Sequence, residues 1–238
     1  MGLPQVNKDV PVHETTLPFS KKKVEFRPFL VKEEKILIIA AASDNADEQK
    51  AAVKQIIDNC TFTKVDLSKL EDVDVEWLML ELRKRSKGTK SPLSYRCMNE
   101  VDGKVCNTQI DVEADLEKVR YVSEADSDVI KLNEEIGLKM KLPKRSETRE
   151  SESALEEAFD RIISCIDMVY AGDEVWHTKD LTRADLVDFI DTWSNDQLER
   201  VMNFVNNVPH LELDVEMTCP KCKYKEVVLI EGLDNFFD

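Results

Sequence analysis

Apolar and polar positions along this chain follow two periods, and the points where the period changes divide it into segments. Thr15, Leu17, Phe19, Val24 and Phe26 are spaced as in strands, with Lys21-Lys22-Lys23 between them. The pattern predicts a hairpin or an extended arm. Pro28 sits where a first helical turn tolerates it, and Leu30 to Ala42 follows as a helix. Ile36, Leu37, Ile38 and Ile39 make that helix apolar almost all round, so it is expected to be buried. Asn45 and Glu48 have capping-box spacing. The next helix carries Ala52, Val53, Ile56, Ile57 and Cys60 on a helical stripe. A third helix, Val73 to Lys87, combines Val73, Trp77, Leu78 and Leu82 with a basic last turn, as the helix dipole prefers. The Lys-Gly-Thr-Lys-Ser-Pro stretch at 87–92 ends it.

Residues 93–142 read as β-structure: Ile110 alternates with Val112, Val119 with Tyr121, and Ile136, Leu138, Met140 and Leu142 follow one another at period two. Lys144 to Ser153 is polar throughout and reads as a linker or exposed loop. Leu155, Phe159, Ile162, Ile163, Ile166 and Val169 then form a 3,4-spaced helical stripe. Asp173, Glu174 and His177 read as a polar loop after Gly172. Thr182 caps a further helix with Leu186, Phe189, Ile190 and Trp193 facing inward. Ser194 and Gln197 form a capping box for another, with Leu198, Val201, Met202 and Val205, ended by Pro209. Leu211, Leu213, Val215 and Met217 alternate again.

This order predicts an α+β fold with an N-terminal β arm and helices. It also predicts a zinc-ribbon-like β module split in sequence around a helical insertion. The expected divisions are 1–92 for the arm and first helices, 93–142 with 211–238 for the β module, and 143–210 for the insertion.

Composition narrows the class. With 42% hydrophobic residues and only 6 Gly among 238, the chain has enough apolar material for a core and favours helix. No apolar run reaches the length of a membrane span, and residues 1–12 lack the apolar core of a signal peptide. The expected site of synthesis is therefore cytosolic and reducing, where paired cysteines more often bind metal than form disulfides. A net charge of −15 argues against a protein that coats nucleic acid through phosphate contacts. It fits a solvated acidic surface or an encounter with a basic partner.

Four of the six cysteines lie in two turns flanked by strand-like segments. Cys219-Pro-Lys-Cys222 has the spacing with which a knuckle delivers two thiolates to a tetrahedral zinc. Cys97 and Cys106 are separated by eight residues, more than a compact knuckle needs. Asp102-Gly103 between them is a tight-turn signal, so a small hairpin can bring the two thiols together. Cys97, Cys106, Cys219 and Cys222 are thus candidate ligands of one structural zinc. Arg96, Lys104, Lys221, Lys223 and Lys225 flank them and would offset a thiolate cluster's charge. His210 is a possible substitute ligand, and Cys60 and Cys165 read as small core residues. Phosphate-binding glycine loops, zinc-protease motifs and nucleophile elbows do not occur, and among 48 carboxylates no pair stands out. No enzymatic activity is expected.

The block from Thr16-Leu-Pro-Phe through Phe26-Arg-Pro-Phe-Leu-Val-Lys-Glu-Glu-Lys-Ile-Leu37 is distinctive. It resembles the N-terminal signature of the T4-like phage baseplate hub family, whose members are described as hub subunits or hub-assembly chaperones. The resemblance continues through the first helix pair and the Tyr95-Arg-Cys97 turn. It extends to Thr218-Cys-Pro-Lys-Cys222 and Gly232-Leu-Asp-Asn-Phe-Phe237. The long Cys97–Cys106 loop is a departure from a compact knuckle. The resemblance implies a non-enzymatic role in building a phage tail baseplate. The chain would act as chaperone or scaffold in the host cytoplasm, or as a permanent hub subunit carried into the virion tail. Implied partners are other tail and baseplate hub proteins, the tape-measure protein among them, with no nucleic acid and no membrane. Leu17, Phe19, Phe26, Phe29 and the terminal Phe236-Phe237 are candidate contact points. The alternative from a different class is a zinc-ribbon regulator that binds nucleic acid or a polymerase, motivated by the basic residues around the knuckles.

Overall fold

The computed structural model describes residues 10–43, 45–123, 127–143 and 154–232. It is an α+β protein of two units: residues 1–121 with 210–238, and residues 122–209 inserted between them.

The first unit opens with the expected hairpin, β1 (His13–Thr16) antiparallel to β2 (Lys23–Phe26). It is not a free arm. Leu17 and Phe26 are fully buried and Phe29 nearly so, whereas Phe19 remains exposed. The helix α1 (Val31–Ala41) follows, then α2 (Ala46–Cys60), whose N-cap Asn45 accepts from the Asp47 and Glu48 amides. The expected capping box is only half made, because the Glu48 carboxylate accepts from the Ser43 hydroxyl and the Asn45 backbone amide also turns to Ser43. The helix α3 (Asp72–Lys87) is the centre of the unit. Leu78, Met79 and Leu82 pack on the hairpin and α2. Val73 and Leu80 turn to a second core with Leu116, Leu211, Leu213 and Val215. Each such side chain contributes about 1.5–3 kcal/mol when taken out of water, so this helix welds the N-terminal region to the β module. Gly88, at φ +91°, caps α3, where a side chain would be strained. The chain then forms β3 (Lys90–Arg96), the short β4 (Glu100–Val101) and β5 (Lys104–Val105), β6 (Gln109–Asp115) and β7 (Arg120–Val122).

In the second unit β8 (Val129–Lys131), β9 (Ile136–Met140), β10 (Ile166–Ala171) and β11 (Glu174–His177) form an antiparallel sheet in the order β11-β10-β9-β8. The helices α4 (Ala154–Cys165), α5 (Arg183–Ile190) and α6 (Asn195–Asn206) complete it. Its core gathers Leu138, Met140, Ile162, Ile166, Val169, Ile190, Val201 and Val205. Thr182 and Ser194 cap α5 and α6 as predicted, Gln197 reaching back to Ser194 as its spacing implied and Asp185 reaching back to Thr182 in addition.

Further expectations change here. The helix α1 is not buried all round: Ile36 and Leu37 pack on the N-terminal core, while Ile38 and Ile39 are exposed. The stripe Ile162–Val169 is not one helix: α4 stops at Cys165, and Ile166 and Val169 belong to β10, where they pair with Met140 and Leu138. Residues 174–177 form a strand and not a loop, with Gly172 at φ +59° in the tight turn before it. The period-two segment at 136–140 pairs with β8 and β10, and so falls in the inserted unit and not beside the cysteine strands. The polar stretch 144–153 and Phe236-Phe237 lie outside the described residues.

The chain returns to the first unit through β12 (His210–Thr218) and β13 (Lys225–Glu231), in a sheet ordered β13-β12-β7. Leu211, Leu213, Val215 and Met217 are all buried, as the alternation predicted. Antiparallel β3–β6 and β12–β13 each end in a cysteine turn.

Candidate metal centre

The two cysteine turns close in the same way despite their different lengths. In the second, the Cys219 amide donates to the Tyr224 carbonyl (2.8 Å) and the Lys223 amide to the Cys219 carbonyl (3.0 Å). In the first, the Cys97 amide donates to the Thr108 carbonyl (2.9 Å) and the Asn107 amide to the Cys97 carbonyl (2.9 Å). In each case the residue after the second cysteine is left-handed: Asn107 at φ 50°, Lys223 at φ 62°. The surplus in the first turn is the β4–β5 hairpin. Its two-residue loop, Asp102 and Gly103, has φ of 53° and 73°, the combination a two-residue hairpin favours. The Cys106 amide, donating to the Asn99 carbonyl at 2.8 Å, closes its base.

All four sulfurs lie within 4.8 Å of one another. Cys97 and Cys222 are 3.6 Å apart, and Cys106 and Cys219 are 3.8 Å apart, so both of these contacts run from one turn to the other. None of the four is in a disulfide, which would need a separation of about 2.05 Å. Thiolates about 2.3 Å from a tetrahedral zinc stand roughly 3.8 Å from each other. The set therefore fits that ion. Its seat is apolar, with Ile110 and Met217 buried and Tyr95, Val112 and Val228 packed against them.

The thiols do not hold their protons equally. Amide N–H groups of Cys222 and Lys221 turned toward Cys219 bring its pKa down to about 6. The Thr108 hydroxyl, 3.2 Å from the Cys106 sulfur, lowers that thiol as well. For Cys97 the Asn99 amide works the same way, but burial and the three neighbouring thiols outweigh it and push the group up to about 12. A site that favours an anion on one sulfur and crowds protons on another suits a cation that replaces those protons.

The uncharged groups touching the sulfurs were not visible in the sequence. Thr108 meets Cys106, and the Asn99 side-chain NH2 donates toward Cys222 at 3.8 Å. The flanking Arg96, Lys104, Lys221, Lys223 and Lys225 are exposed. His210 groups instead with Glu212 and Glu231. Glu212 there is already engaged by Arg120 at 2.6 Å. Cys60 and Cys165 are buried core thiols, both pushed up to about 11 by burial, which makes them poor nucleophiles.

Residues 10–238 match the family model of the T4 bacteriophage base plate protein. The chain belongs to that family. A relative from Enterobacteria phage T4, the baseplate hub assembly protein gp26, is 26% identical over 218 residues. The match covers 91% of this chain and 93% of that protein. No solved structure matches this base plate family member. Among its described residues no helix is long and apolar enough to cross a membrane.

Proposed function

We propose that this chain is a non-enzymatic baseplate hub assembly protein. It holds hub components in the host cytoplasm while the phage tail baseplate is built. The observation that carries the reading is near end-to-end similarity to a protein of that role, covering 91% of one chain and 93% of the other. The partners are other tail and baseplate hub proteins, and the tape-measure protein is a candidate among them. Co-expression with the hub proteins of the same phage yields a stable complex if the reading is right; binding to none of them would refute it. Quantitative mass spectrometry of purified virions then separates two forms of the role. An assembly chaperone is missing from them, and a permanent hub subunit is present in fixed copy number.

Within this role Cys97, Cys106, Cys219 and Cys222 hold one structural zinc. The sulfur separations support this. Zinc would supply a cross-link between β3–β6 and β12–β13, joining the middle of the sequence to its end. The residues themselves do the rest: the two turns aim the thiols inward, amide groups stabilise their anions, and Asn99 and Thr108 fill the remaining contacts.

A further inference from the structure

The sequence of α1 demands cover on two sides, and the fold supplies it on one. Ile36 and Leu37 pack against the N-terminal core. On the other side Val31, Ile38 and Ile39 are 67%, 61% and 70% exposed, and Lys35 and Ala42 beside them are exposed too. Positions 31, 35, 38, 39 and 42 follow the 3,4 spacing of one helical face, so they form a single stripe. It spans three turns, about 16 Å at the rise of an α-helix. Branched aliphatic residues gain nothing for an isolated helix, since their side chains are restricted there. Their place in the sequence is explained by a surface that packs on them.

The charges on this face indicate what that surface is. Glu33 is buried on Arg27, and Glu34 is tied to Lys87 at 2.7 Å. Lys32, 3.2 Å from Glu33, shares that one carboxylate with Arg27, and Lys35 stands exposed on the stripe itself, so cations outnumber anions here and leave a basic patch on a chain of net charge −15. We infer that the outer face of α1 is a docking site for an amphipathic helix of a partner protein, with carboxylates bordering its apolar stripe. A helix matches the length and spacing of the exposed residues by ridge-and-groove packing. A second copy of α1 would set lysine against lysine. An anionic lipid surface would be repelled by the rest of the chain.

This inference rests on the hub-assembly reading for its partner, and the test separates the two. The full-length protein and its Ile38→Glu, Ile39→Glu and Lys35→Glu variants are co-expressed with the hub proteins. Val227→Glu, an exposed change on β13, serves as control. The altered positions are solvent-facing, so unchanged circular dichroism and melting are expected. The glutamate variants at 38 and 39 should lower recovery of the complex at least ten-fold, Lys35→Glu several-fold, and the control not at all. Carbodiimide should join Lys32 or Lys35 to an Asp or Glu within a partner segment of helical apolar spacing. If the unaltered protein forms no complex, the hub-assembly reading fails. If it forms one that the α1 variants leave intact, this inference fails and that reading stands. Two further outcomes overturn the assigned occupant: a homodimer alone in solution that Ile39→Glu dissociates, or flotation with anionic vesicles that Ile39→Glu abolishes.

Discussion

Cys97 and Cys222 are 125 positions apart in the chain and 3.6 Å apart at their sulfurs. A metal at this point would link two strand pairs that lie on either side of the inserted unit in sequence. Zinc should therefore co-purify at about one ion per chain, and Cys97→Ser or Cys222→Ser should lose it. A ligand present at a hundred-fold excess over its dissociation constant stabilises by about 2.7 kcal/mol. Losing that much should lower the melting temperature by roughly 5–11 °C for a protein of this size. Cys60→Ser and Cys165→Ser should keep the metal, because both thiols belong to cores apart from this cluster. Metal content and thermal melts of the four variants check this. Full zinc occupancy in Cys222→Ser would rule out the four-thiolate site.

Local chemistry makes parts of this site readable from the sequence. Asp102-Gly103 dictates a tight turn, and that turn brings Cys106 back beside Cys97. Asn99 cannot be read in the same way, because its side-chain contact with Cys222 exists only after both turns have met, and the Thr108 contact with Cys106, though local, follows from the shape of the first turn and from no spacing rule. The fold shows a similar boundary. Capping at Asn45, Thr182 and Ser194 depends on neighbours in sequence and is legible there. The end of α4 is not: Ile162, Ile163 and Ile166 satisfy a helical period, while Ile166 and Val169 are equally at home in a strand. Pairing of β10 with β9 decides the matter, and it is a tertiary event. For α1 the apolar pattern predicts burial all round, but only Ile36 and Leu37 pack on the N-terminal core while Val31, Ile38 and Ile39 are exposed, because periodicity does not say how much cover the rest of the chain supplies.

Glu33 is fully buried, with Arg27 3.0 Å away and the Leu30 amide donating to it at 2.9 Å. Burial alone would raise its pKa, but the hydrogen bonds from Arg27 and Leu30 outweigh it and hold the carboxyl below the usual value. The native pKa thus lies below the unfolded one, about 4.3. Its stabilising contribution is complete above that value and lost as the pH falls through the native pKa. Glu33→Gln leaves Arg27 buried without its counter-charge and should cost about 3 kcal/mol at neutral pH. The gap between the two proteins should close as the pH is taken below about 4. Urea titrations from pH 3 to pH 7 measure it; a gap constant across that range would contradict the pairing.

Gly137 lies opposite Tyr170 in the β9–β10 ladder, and the tyrosine side chain covers it. A Cβ on residue 137 would come 2.1 Å from the Tyr170 hydroxyl oxygen and 2.3 Å from the adjoining ring carbon. Gly137→Ala should therefore destabilise the inserted unit by about 1–3 kcal/mol, as overpacking does. With Tyr170→Ala already in place the same change should be neutral or slightly favourable, since strands tolerate alanine better than glycine. A double-mutant cycle reads the difference. Equal costs in both backgrounds would show that the ring is not the obstacle.

Asp74, in the first turn of α3, is fully buried and accepts from the Phe19 amide at 2.9 Å and the Ser20 amide at 3.0 Å, one oxygen to each. With Trp77 donating to Thr15 at 3.0 Å, it fixes the β1–β2 hairpin to the helix. Hydrogen bonds to a charged group are worth about 1.5–3 kcal/mol each, so Asp74→Ala should cost roughly 3 kcal/mol after partial relaxation. Asp74→Asn should cost nearly as much. An amide offers one acceptor oxygen, and its NH2 would face the second donor. Hydrogen exchange at Phe19 and Ser20 localises the effect: both amides should lose protection in either variant, while the β12–β13 ladder keeps its own. If Asn restored native protection at both amides, the loop would need only one acceptor, and the two-oxygen anchor would be the wrong account of how the hairpin is held.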